Sequence, residues 1–165
     1  LAGDPENYAA LHSIGVYQVK HGESARGIAK LELAIRLNEA SAHPHPTMML
    51  VTRKFLSSAY HSSGMLDQAA EQYAIILRAE PESFVAGYSL AQIYQSKGLC
   101  SDAVDVYTQT LRGATEPAMF REVYNNLGYC YYNLNRRQEA LASYERALSY
   151  APGDPVILDN IRRLR

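Results

Sequence analysis

Residues 124–152 read YNNLGYCYYNLNRRQEALASYERALSYAP. Leu127, Gly128 and Tyr131 fall at helical spacing before Asn135, and Ala140, Tyr144, Ala147 and Leu148 do so after it. Recurrence at i, i+3 and i+4 puts these side chains on one face of a helix, whereas a strand would alternate. Asn135 stands between the two runs. A helix that ends and turns back commonly sets its C′ residue in the left-handed region, which glycine enters freely and asparagine next most readily. The stretch therefore predicts two antiparallel helices reversing at Asn135. Pro152 falls just past the second, where proline is common.

The same columns recur upstream. Gly128 is preceded in register by Ala91, Ser57 and Gly15, at spacings of 37, 34 and 42, a 34-residue period with insertions of three and eight. Seven residues after each anchor come Gly22, Gly64, Gly98 and Asn135, and five further on a second small column, Gly27, Ala69, Ala103 and Ala140. Bulky columns flank them: Ile14, Leu56, Leu90 and Leu127 one residue before the anchor, and Gln18, Tyr60, Tyr94 and Tyr131 three after it. In the second helix of each segment stand Leu31, Tyr73, Tyr107 and Tyr144, then Ile35, Leu77, Leu111 and Leu148. Small residues let two helices approach closely, and the aromatics fill the remaining volume. The pattern predicts hairpins at about 5–41, 47–81, 82–115 and 117–152. A final helix over 155–165 would lay Ile157, Leu158, Ile161 and Leu164 on the last hairpin as a cap. Asp4-Pro5 and Asp154-Pro155 read as N-cap and first-turn proline, Pro117 as a helix start, and Thr47 as the cap of a helix from Met48.

This pattern resembles the tetratricopeptide repeat, over about residues 5–154. The fourth segment carries the likeness best, with Tyr124, Leu127, Gly128, Tyr131, Ala140, Tyr144, Ala147 and Pro152. The resemblance implies an all-α fold, a right-handed α-solenoid of antiparallel helical hairpins forming one domain over 1–165, and a role in protein–protein interaction. The sequence departs from the family where an early tryptophan is frequent, with Leu11, Arg53, Gly87 and Tyr124 there instead. The first segment also has Gln18 for tyrosine and Glu39 for the closing proline. RNA-binding pentatricopeptide repeats have a similar period, but the 34-residue spacing and the lack of a basic face weigh against them.

Composition narrows the function classes. With 16 basic and 17 acidic side chains in 165 residues, the chain lacks the positive excess that neutralises phosphates, so no nucleic-acid partner is expected. No apolar run approaches the ~20 residues of a membrane span. Two cysteines, Cys100 and Cys130, read as buried inert thiols in an intracellular, thiol-reduced protein, most simply cytoplasmic, with an organelle left open. The first residue is Leu1, which reads as the start of a piece of a longer chain. No glycine-rich phosphate loop, Cys-x-x-Cys, His-Glu-x-x-His or Gly-x-Ser-x-Gly occurs, so no catalytic residue and no cofactor is predicted. His43-Pro44-His45-Pro46 offers two histidines where zinc needs three or four ligands, so no metal is predicted and the prolines are read as stiffening the insertion.

The resemblance further implies that one face of each first helix lines a concave side. In the first segment that face includes His12, in the second Lys54, Ser58 and His61, and in the third Tyr88, Gln92 and Gln95. In the fourth it includes Asn125, Asn126, Tyr129, Tyr132 and Asn133. Asparagine and glutamine donate and accept at once, so they suit the backbone of an extended peptide. Tyrosine adds apolar area with a polar tip. These residues are the predicted contacts for a partner protein's extended or helical segment. The family's two-carboxylate clamp for chaperone C-terminal tails needs lysines, asparagines and an arginine on these faces. The matching positions carry His12, Val16, Phe55, Val85 and Ser89, or, one hairpin onward, Lys54, Ser58, Ser89, Glu122 and Asn126, so such a tail is disfavoured. Two alternatives remain: an assembly subunit docking through its ends or convex face, including by self-association, and the substrate-recruiting part of an enzyme whose catalytic domain lies elsewhere.

Overall fold

The computed structural model describes residues 5–164, with side chains from Asn7 onward. Among these residues all regular structure is helical. The chain divides into two compact units that meet between Arg78 and Ala79.

The first unit holds α1 (Pro5–Lys20), α2 (Ser24–Glu39), α3 (Pro46–Ser62) and all but the last residue of α4 (Leu66–Ala79). The second holds α5 (Phe84–Ser96), α6 (Cys100–Thr110), α7 (Pro117–Asn133), α8 (Arg137–Tyr150) and α9 (Pro155–Leu164). Leu111–Gly113 form a 3-10 turn between α6 and α7, and α7 starts about one turn early at Pro117, where the sequence carries its three extra residues.

The periodic reversals have a common geometry. Gly22, Gly64 and Gly98 sit at φ +85°, +74° and +75°, and Asn135 at +59°. One residue beyond each, a backbone N–H returns to a carbonyl five residues back: Glu23 to Gln18, Met65 to Tyr60, Leu99 to Tyr94 and Arg136 to Tyr131, each at 2.9 Å. These bonds satisfy carbonyls that a helix end otherwise leaves without partners.

In the first unit, the core is built from Tyr8, Ile28, Leu31, Ala34 and Ile35 with Leu56, Ala59, Tyr60, Ala69, Tyr73 and Ile76. Helices α1 and α2 cross at Gly15 and Gly27, where a Cβ on Gly27 would lie only 2.7 Å from the Gly15 carbonyl oxygen. The Tyr60 hydroxyl donates to Glu32, tying α3 to α2. Arg53, at a position where the family favours tryptophan, donates to Gln72 on α4 and pairs with Glu39 on α2. The insertion before α3 is clasped by Asn38, which is 1% exposed. Its Nδ2 donates to the His45 carbonyl at 3.1 Å, and its Oδ1 accepts the His45 N–H at 2.8 Å.

Two expectations for this unit need correction. Thr47 does not cap α3: the helix starts at Pro46 with His45 as its cap residue. Proline suits the first helical position because its missing N–H would have no helical partner there, so the helix begins ahead of Thr47. Ile14 is not a packed residue, because 46% of it is exposed. Its counterparts Leu56 and Leu127 are buried. In their units α2 precedes α3 and α6 precedes α7, whereas α1 is the first helix described. Gln18, in the tyrosine column, keeps a buried carbonyl oxygen without a hydrogen-bond partner. Asp4 and Arg165 lie outside the described residues, and with them the predicted cap at Asp4-Pro5.

In the second unit one cluster joins Ala91, Cys100, Ala103, Val104 and Tyr107 to Val123, Leu127 and Cys130 across α5, α6 and α7. Another joins Ala140, Tyr144 and Ala147 to Ile157, Ile161 and Leu164, so α9 covers α8 through three of the four residues that its spacing predicts, while Leu158 is only half-buried and outside the cluster. Gly153, at φ +87°, makes the reversal after α8. Asp154 then caps α9, its Oδ1 accepting the Val156 N–H at 2.9 Å and the Ile157 N–H at 3.3 Å.

Candidate functional site

The predicted contact residues fall into two groups, one per unit. In the first unit, His12 on α1 meets α3: its Nδ1 lies 3.0 Å from the Thr52 hydroxyl, and its ring meets Phe55 edge-on at 5.4 Å. Burial lowers the pKa of His12 from its ordinary value. His61 packs edge-on against Tyr73 of α4, while Lys54 and Ser58 are exposed.

The second unit gathers the rest more closely. Asn126 on α7 donates to the Tyr88 hydroxyl on α5 at 3.1 Å. The Tyr88 pKa is raised, first by burial and then by the Glu122 carboxylate, with Asn126 and Arg121 opposing. Tyr107, fully buried, donates to the Gln95 carbonyl oxygen at 2.8 Å, so Gln95 links α5 to α6 inside the unit. Asn133 donates to the Tyr129 carbonyl within α7. Asn125 accepts from Asn160 of α9 at 3.4 Å. Of the amides named from sequence, Gln92 and Asn133 are exposed; Tyr129 and Tyr132 are 46% and 54% exposed despite their size.

Two cavities flank α7. One, of about 200 Å³, is lined by Tyr88, Arg121, Glu122, Asn125, Asn126 and Asp154, with Val156 and Ile157 at its α9 side. Arg121 reaches Glu122 and Asp154, each at 3.4 Å. The other, of about 170 Å³, lies among Tyr129, Tyr132, Tyr144, Asn160, Arg163 and Leu164. Sequence reasoning missed Arg121, Asp154, Val156, Asn160 and Arg163 as site residues. It read Asp154 as a cap and α9 as a cover. The one available signal was Asn160, a polar residue beside the buried Ile157 and Ile161.

Cys100 and Cys130 are both buried, and burial pushes the Cys130 thiol up to about 12. Such a thiol holds almost no nucleophilic thiolate at neutral pH. Among the described residues no cluster of three or more His, Cys, Asp or Glu side chains is arranged to hold a metal, and no helix is long and apolar enough to cross a membrane.

A family model for the tetratricopeptide repeat matches residues 121–154, the segment that contains α8 and most of α7. Residues 121–154 are therefore similar to one tetratricopeptide repeat. Solved structures of this repeat architecture follow the chain over nearly its whole length. MamA from AMB-1 is 22% identical and superposes with a TM-score of 0.76, covering 98% of this chain and 82% of that one. A further MamA crystal structure is 17% identical with a TM-score of 0.82, over the same shares. BtubC (BKLC) from P. vanneervenii is 22% identical with a TM-score of 0.69, covering 98% of this chain and 74% of that one. At such identities the likeness shows the fold: all-α, an α-solenoid of helical hairpins. No curated protein sequence matches the chain.

Proposed function

We propose that this repeat protein is a non-catalytic protein–protein interaction module, and that the second unit holds an extended or helical segment of its partner against α7. The observation that carries this reading is the pair Tyr129 and Tyr132. Two large aromatics stay about half exposed beside a cavity, while the other tyrosines of this unit that the repeat columns name pack inward. Buried aromatic anchors set in pockets dominate binding energetics elsewhere. Tyr88, Gln92, Gln95, Asn125, Asn126 and Asn133 border or support this face, and we retain them as contact or positioning residues. His12, Lys54, Ser58 and His61 are the corresponding proposal for the first unit. The proposed setting is intracellular, and neither nucleic acid nor a chaperone tail is proposed as a partner.

Cross-linking tests it. A photoreactive aromatic at position 132 is expected to capture a partner that the same group at exposed Gln138 on α8 does not. Tyr129→Ala should cut the captured amount about tenfold, as loss of an interface anchor of 1.4 kcal/mol would. Equal capture from both positions, or capture indifferent to Tyr129→Ala with helicity intact, refutes the groove.

A second reading, docking through an end of the molecule with self-association as one form, draws on α1. Ile14 and Tyr17 are 46% and 61% exposed, whereas their column partners Leu56, Ala59, Leu127 and Cys130 are buried. Light scattering separates the two, because docking of copies through α1 raises the mass with concentration and Ile14→Ser abolishes the rise.

A further inference from the structure

We infer that the cavity between Tyr88, Glu122 and Asp154 is a specificity pocket for a basic side chain, lysine above all, of the segment held against α7. The inference rests on the groove reading above and adds the chemistry of what fills it.

The lining carries two carboxylates, Glu122 and Asp154, against one guanidinium, Arg121, a formal charge of −1. Arg121 sits between them at 3.4 Å from each, beyond the usual 2.7–2.9 Å of a charge-assisted hydrogen bond. Neither carboxylate is saturated by it. Asp154 Oδ1 is turned to the N-terminus of α9, and it is Oδ2 that meets Arg121. Asn126 directs its amide N–H to the Tyr88 hydroxyl, and Asn125 uses its oxygen on Asn160, so both groups are held in fixed orientations. Tyr88, whose ring stacks on Phe84 and meets Tyr107, is a fixed wall of the pocket. The Tyr88 hydroxyl reports the local field: Glu122 raises its pKa more strongly than Arg121 lowers it.

A cation entering here meets Glu122 and Asp154 together with Arg121, and the net charge of −1 favours it. An acidic side chain would meet the same net charge and be repelled. Selection is the difference between these two affinities. The cavity, at about 200 Å³, is several times the ~30 Å³ that one water occupies in the liquid, and so admits a side-chain tip.

The probe is an acetylated and amidated peptide, Ala-Lys-Phe-Ala, titrated into the 15N-labelled chain, with acetyl-lysine and glutamate versions of the same peptide beside it. The expected result is saturable shifts of the Asn125 and Asn126 side-chain amides, with affinity for the lysine peptide about threefold above the acetyl-lysine one. The glutamate peptide should be the weakest. Glu122→Gln and Asp154→Asn should each bring the lysine peptide down toward the acetyl-lysine level, the latter keeping its cap because asparagine also serves there. Added salt should erase the preference. Equal affinity for all three peptides, or preference unchanged in both variants, overturns the inference. If all three shift Tyr129 and Tyr132 alike, the basic pocket falls and the groove stands. Absence of shifts from every peptide also overturns the pocket, and the cross-linking experiment then decides the groove separately.

Discussion

Replacing Gly27 by alanine sets two lines of reasoning against each other. In the other three hairpins the equivalent residue is Ala69, Ala103 or Ala140. Alanine inside a helix is favoured over glycine by about 1 kcal/mol, so register alone predicts that Gly27→Ala stabilises. Packing predicts the reverse. The new Cβ would lie 2.5 Å from Val19 Cγ2, 2.7 Å from the Gly15 carbonyl oxygen and 2.8 Å from the Val19 backbone nitrogen. The Val19 methyl can rotate away, but the backbone atoms of α1 cannot. To restore ordinary contact, which begins at 3.4 Å, α1 and α2 must part by about 0.7 Å at the crossing. That shift also loosens Leu31, which packs against Gly15. Overpacking of this kind costs about 1–3 kcal/mol, and with relief blocked by backbone we expect the upper half of that range. Net of the propensity gain, Gly27→Ala should destabilise by about 1–2 kcal/mol. Thermal unfolding followed by far-UV circular dichroism should show Tm lower by about 3–6 °C. Ala69→Gly is the comparison, expected to cost about 2 kcal/mol, about half through propensity and half through loss of a fully buried methyl. An unchanged or raised Tm for Gly27→Ala would show that the first hairpin relaxes freely and refute the argument.

Two further outcomes can be checked directly. Asn38→Ala removes both hydrogen bonds that clasp His45 and should destabilise by about 2–3 kcal/mol, with limited proteolysis appearing between Ala40 and Pro46 in the native chain. Stability should also fall at high pH. The Cys130 thiol is raised from 9.0 to about 12 and the Tyr144 hydroxyl from 10.0 to about 12, both by burial first, so the folded state holds protons that the unfolded state has released. The sign is a loss that begins near pH 9 and grows toward pH 12, read as a declining urea midpoint, and Cys130→Ala should delay its onset.

Much of the fold was legible in the residues themselves because a helical reversal is a local event. The left-handed position after each first helix admits glycine or asparagine whatever lies beyond it, and Gly22, Gly64, Gly98 and Asn135 therefore mark the turns without reference to packing. The faces follow from 3.6-residue periodicity, which is why Leu56, Tyr73, Tyr107 and Ala140 were placed in the core from spacing alone. The opening of α9 was equally local, since Asp154 caps within three residues of itself.

What the chain's folding alone decided concerns groups far apart in sequence. Asn126 meets Tyr88 across 38 residues, Asn160 meets Asn125 across 35, and Arg121 meets Asp154 across 33. Periodicity says which side of a helix a residue occupies, but not the angle at which α9 lies on α8, and that angle turns a cap into a cavity wall. The same limit hid the fate of the amides. Gln95 and Gln92 share one face by spacing, yet Gln95 is engaged by the buried Tyr107 hydroxyl while Gln92 stays exposed. A hydrogen bond needs its partner within about 3 Å, and only tertiary packing brings a second helix that close.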